Sequence, residues 1–135
     1  MRNALLAAAL FLAACAANKT TPLAEIPSLT KLDDVMDNQA TAADPQFKKI
    51  GHDKFDDAEL AALVQAAERI QATSLKTKDF AKTSKDPAAF EALAMKVNEK
   101  AKALGTAAAA KDAKGISAAL EGMRGACREC HSKLR

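Results

Sequence analysis

Tryptophan and tyrosine are both absent, and five phenylalanines supply all the aromatic side chains of a 135-residue chain. So few large rings leave a modest hydrophobic core, in a length suited to one small domain and too short for two. Glycine and proline are sparse, at five and four residues. Alanine, the best helix former, is abundant while β-branched residues are scarce, so an all-α domain is the default expectation. The net charge is only +3, with no concentrated basic stripe, so nothing suggests a nucleic-acid partner. There is no nucleophile–base pair and no glycine-rich phosphate loop, so nothing suggests an enzyme.

What the chain does have sits at its end. Cys127-Arg128-Glu129-Cys130-His131 places two thiols three apart with a histidine directly after them. This is the c-type haem attachment pattern, in which each thiol adds to a porphyrin vinyl group and the imidazole approaches the iron. At about 3.6 residues per turn, Cys127 and His131 lie about 40° apart around a helix, and Cys130 about 60° to the other side. One helical face therefore presents all three groups. A zinc site would need two more ligands, and the only other histidine is His52. A thioredoxin-like disulfide would need a βαβ setting, for which the chain has no credible strand. A buried porphyrin also supplies the apolar surface that so few aromatics leave missing.

The N-terminus reads as an export signal. Met1-Arg2-Asn3 is a short positive region, and the apolar run from Ala4 to Ala14 is too short to span a bilayer. Leu12-Ala13-Ala14-Cys15 resembles the lipobox of bacterial lipoproteins, which implies cleavage after residue 14 and lipidation of Cys15. A plain signal peptide cleaved at a nearby alanine is the other reading. With Cys15 lipidated and Cys127 and Cys130 on haem, no thiol is left over. Residues 15–27, polar and punctuated by Pro22 and Pro27, are expected to form a flexible tether to a domain spanning 28–135.

Four amphipathic segments follow. Leu29, Leu32, Met36, Ala40, Ala43 and Phe47 recur at steps of three and four, a helix face starting near Ser28. Asp44-Pro45 marks a break, with a short helix beyond it. A second helix opens on the capping box Asp56-x-x-Glu59, with Phe55 stapled onto Leu60, and runs through Leu63, Val64, Ala67 and Ile70 before fading at Thr73-Ser74. The lysine-rich stretch 75–85 reads as a solvated loop. Asp86-Pro87 starts a third helix with the stripe Phe90, Leu93, Ala94, Val97, Ala101, Leu104 and Ala108. Gly105 within it offers room for a neighbour's close approach. Asp112 caps a fourth helix, whose stripe Ile116, Leu120, Met123, Cys127, Cys130 and Leu134 runs straight into the haem motif. The expected fold is an antiparallel four-helix bundle enclosing one covalently attached haem c.

A haem motif at the C-terminus of a four-helix bundle resembles the class II c-type cytochromes, the cytochrome c prime family. Members often close with an aromatic and a basic residue; here Leu134 stands where the aromatic falls, followed by Arg135. The resemblance implies that His131 is the proximal iron ligand and that the first helix covers the distal side. It also implies two functional types. One has a vacant, high-spin distal site that binds NO or CO, and the other has a methionine ligand and shuttles electrons. Met36, on the core stripe of the first helix, is the candidate sixth ligand, although a stripe methionine also serves as packing. Met123 lies on the haem helix itself and Met95 at the edge of the third stripe. His52, in the connection after the first helix, is the bis-histidine alternative. The expectation is thus a monohaem electron carrier anchored by lipid on the periplasmic side of a bacterial membrane, by preference the outer one. Its partners would be redox proteins, and family members commonly dimerise through helices one and two.

Overall fold

The computed structural model of the protein describes residues 20–134; residues 1–19, which include the expected signal segment 1–14 and Cys15, and Arg135 lie outside them. Four long helices, α1 (Leu32–Phe47), α2 (Asp57–Lys78), α3 (Pro87–Ala109) and α4 (Ala113–Leu134), pack as an all-α bundle. Short 3-10 helices span Leu23–Ser28 and Ala81–Thr83, and no strand occurs among the described residues. Short links make successive helices antiparallel neighbours. α2 packs most extensively on α3, then α3 on α4 and α1 on α2, while α1 and α4 form the least extensive of the contacts between adjacent helices.

The helix starts follow from their caps. Glu59 N donates to Asp56 Oδ1 at 2.8 Å and Asp56 N donates to Glu59 Oε2 at 3.1 Å, which closes the capping box of α2. Asp86 accepts from Ala89 N at 3.0 Å ahead of Pro87, and Asp112 accepts from Gly115 N at 3.0 Å. Between α3 and α4, Lys111 turns left-handed at φ 56°. There Asp112 N donates to Ala107 O and Lys111 N donates to Ala108 O. That pair of bonds is a Schellman motif, which satisfies the last carbonyls of α3 and reverses the chain. The core joins Leu63, Ala67, Ile70, Val97, Ala101, Leu104, Ile116, Leu120 and Met123. A Cβ on Gly105 would meet Ala67 Cβ at 3.4 Å, so α2 is the neighbour that comes close there.

Four boundaries or faces differ from the sequence reading. α1 starts at Leu32 rather than near Ser28, and it continues through Pro45 to Phe47. The proline sits in the last turn, where one lost backbone bond does not end a helix already packed on α2. α1 is also rotated about its axis. Its buried residues are Val35, Asn38, Gln39, Ala42, Ala43 and Gln46, whereas Ala40 is exposed and Met36 half-buried. α2 does not fade at Thr73-Ser74 but continues to Lys78, with Thr73, Ser74 and Thr77 all buried. Their hydroxyls donate to carbonyls of the same helix, including Ser74 to Gln71 O at 2.9 Å and Thr77 to Thr73 O at 2.8 Å. The part of the expected tether that is described is packed rather than free. Ile26 is fully buried, Thr21 N donates to Asn38 Oδ1, and Arg69 Nη1 donates to Thr21 O at 2.6 Å.

Candidate functional site

The last two turns of α4 carry Cys127, Cys130 and His131 on one face, as helical spacing requires. A small cavity of about 40 Å³ lies against them. Its walls come from every helix of the bundle: Met36 and Gln39 from α1, Ser74 and Thr77 from α2, Leu93 and Val97 from α3, and the two thiols and His131 from α4. A second cavity of about 110 Å³ shares Met36, Thr77, Cys130 and His131 and extends to Leu32, Phe90 and Leu134. Met36 thus stands on the wall of both, opposite the helix that bears His131. Where the sequence offers Leu134 in place of a terminal aromatic, α3 brings Phe90 into the same cavity.

The other candidates fall elsewhere. His52 is exposed, and the preceding Gly51 N donates to Ser117 Oγ at 2.9 Å. Ser117 is fourteen residues before His131 on α4, about 21 Å along the axis, so His52 sits at the opposite end of the bundle. The bis-histidine alternative is thereby overturned. Met123 is buried within α4, and Met95, half-buried on α3, lines neither cavity. A larger open groove of about 530 Å³ on the outer face of α1 holds Asp37 and Asp44 but no thiol or imidazole.

Both thiols are held neutral. Burial pushes the Cys127 thiol up to about 11, and the neighbouring Cys130 and the Asp44 carboxylate add to the effect. Burial, then Glu129, pushes Cys130 up as well. Asp44 acts on Cys127 while Met36 lies by Cys130 and His131, the register of two antiparallel helices. At the rim, Glu129 accepts from Lys133 at 2.7 Å and from Lys96 at 3.3 Å. These two cations hold its carboxyl below the usual range and tie the end of α4 to α3.

Two thiols and an imidazole on one face, backed by apolar Leu93 and Val97, are the donor set and lining that haem c takes. The two cavities together are smaller than a porphyrin. A flat macrocycle between α1 and α4 would part the two adjacent helices with the least extensive contact. One lining residue is unexplained by packing: Gln39 is buried, and its carboxamide oxygen has no hydrogen-bond partner. The periodicity of α1 hid this residue, because alanines on both sides of the helix leave the buried face ill-defined.

A family model described as Cytochrome C′ matches residues 31–135 of the chain. The protein belongs to the cytochrome c′ family, whose cofactor is covalently attached haem c. No curated protein and no solved structure matches the chain.

Proposed function

We propose that the protein is a monohaem electron carrier, held by a lipid on Cys15 at the periplasmic side of a bacterial membrane. Cys127 and Cys130 anchor the haem, His131 is the proximal ligand, and Met36 completes the coordination. The observation that carries this reading is the position of Met36 on the wall of both cavities, opposite His131. When bound, haem supplies an iron that takes one electron from a donor protein and passes it to an acceptor. A thioether opposite imidazole favours the ferrous state and keeps iron six-coordinate in both oxidation states, so little ligand movement accompanies transfer. Leu93 and Val97 keep water from the coordination sphere, and the neutral thiols carry no charge to oppose a porphyrin's entry. No helix among the described residues is long and apolar enough to cross a membrane.

The test compares wild type with Met36→Ala. Removal of the thioether should lower the reduction potential and speed CO binding to ferrous protein at least about tenfold, a barrier change of roughly 1.4 kcal/mol. Equal potentials and equal CO rates would mean that Met36 only packs beside the haem. The function would then be gas binding at a vacant distal site.

A further inference from the structure

Gln39 lies three residues after Met36 on α1 and shares its wall of the first cavity, facing Cys127, Cys130 and His131 on α4. It is 8 % exposed, and its carboxamide oxygen has no hydrogen-bond partner. The other polar groups of that cavity wall are committed. Ser74 Oγ donates to Gln71 O at 2.9 Å and accepts from Asn98 Nδ2 at 3.1 Å, and Thr77 Oγ1 donates to Thr73 O at 2.8 Å. Asn38, the residue before Gln39, is likewise engaged with Thr21 and with Asp34 O. Gln46 and Asn98 also keep an unpartnered oxygen, but neither lines the cavity. Gln39 alone therefore brings an uncommitted carboxamide to the α1 side of the site.

A carboxamide has an acceptor end and a donor end, and rotation of its last bond presents either one. The buried, unpartnered end is the oxygen; a half-turn of the amide puts the N–H in that same place beside the cavity, where little competing water strengthens any bond it makes. We infer that Gln39 is the specificity-determining residue of the sixth coordination position. Where the Met36 thioether is absent or displaced, its amide donates a hydrogen bond to the exogenous ligand that takes the position and favours anionic, hydrogen-bond-accepting ligands over CO. This rests on the haem lying between α1 and α4, but not on Met36 being an iron ligand. Distal donors are one of the levers by which a protein selects what its haem binds. The charge on an anion such as cyanide makes the bond strong, whereas the weakly polar oxygen of CO gains little from it.

The experiment uses haem-loaded Met36→Ala, in which the position is open whether or not Met36 ligates. Cyanide binding to the ferric protein and CO binding to the ferrous protein are compared with those of Met36→Ala/Gln39→Leu. The inference predicts about tenfold weaker cyanide binding in the double variant, equal to about 1.4 kcal/mol, with CO affinity nearly unchanged. The C–O stretch should also move to higher frequency as the donor is lost. Where leucine prevents loading, Gln39→Ala makes the same comparison without added bulk. Cyanide and CO affinities that fall together, or that both stay the same, would overturn the inference. It falls equally if Met36→Ala binds neither ligand, since the open position would then not lie on the α1 wall. Failure of the haem reading itself would show differently, as protein without covalent haem.

Discussion

Burial of Cys127 and Cys130 keeps both thiols protonated at neutral pH, and this governs their reactivity before haem is attached. Cys127 shifts from an ordinary 9.0 to about 11. Because the folded value is raised, its contribution to stability is complete below pH 9 and is lost as pH rises through about 11. Protein without haem should therefore lose thermal stability between those limits, and its alkylation by iodoacetamide should be slow at pH 7. Fast labelling of folded protein at neutral pH would contradict this. With both thiols removed, Cys127→Ala/Cys130→Ala should show no haem staining after denaturing electrophoresis. Persistent staining would rule out attachment at these residues. The thiols and His131 were legible in the sequence because their chemistry is contiguous and helical spacing alone puts them on one face. Gln39 was not legible, since only the packed bundle reveals a buried carboxamide without a partner.

At the scale of elements, the polar seam between α2 and α3 backs the site. Asn98 Nδ2 donates to Gln71 O and to Ser74 Oγ, both at 3.1 Å, and Asn98 is fully buried. This clamps α3 to the stretch of α2 whose Ser74 and Thr77 line the cavity. Asn98→Ala should lower stability by about 1–3 kcal/mol, because it leaves buried acceptors on α2 short of a donor. Urea titration measures it, and an unchanged midpoint would remove the clamp from the account. The same seam explains why α2 is longer than its periodicity suggests. Thr73, Ser74 and Thr77 interrupt the apolar stripe, yet each bonds a carbonyl of its own helix and is buried without penalty. The capped starts at Asp56, Asp86 and Asp112 were legible because capping is local. The rotation of α1 was not, because the partners that engage its buried Asn38 lie outside the helix, in Thr21 and in Arg69 of α2.

For the whole molecule, the packing of Thr21 and Ile26 would shorten the proposed link to a membrane. From Cys15 to Thr20 an extended chain spans at most about 18 Å, so a lipid on Cys15 would hold the bundle close to the surface. Cys15→Ser should move the exported protein from the membrane fraction to the soluble one. Wild-type protein that washes off membranes in salt alone, or that carries no acyl mass, would remove the anchor.

The proposed place of the haem is the seam between α1 and α4, the least extensive contact between adjacent helices of the bundle, and the central claim is that Met36 would meet it there from α1. The absorption spectrum of oxidised wild-type protein tests this most directly. The account predicts low-spin, six-coordinate iron with a weak near-infrared band from sulfur to iron, and loss of that band in Met36→Ala. A high-spin, five-coordinate spectrum in the wild type would contradict it.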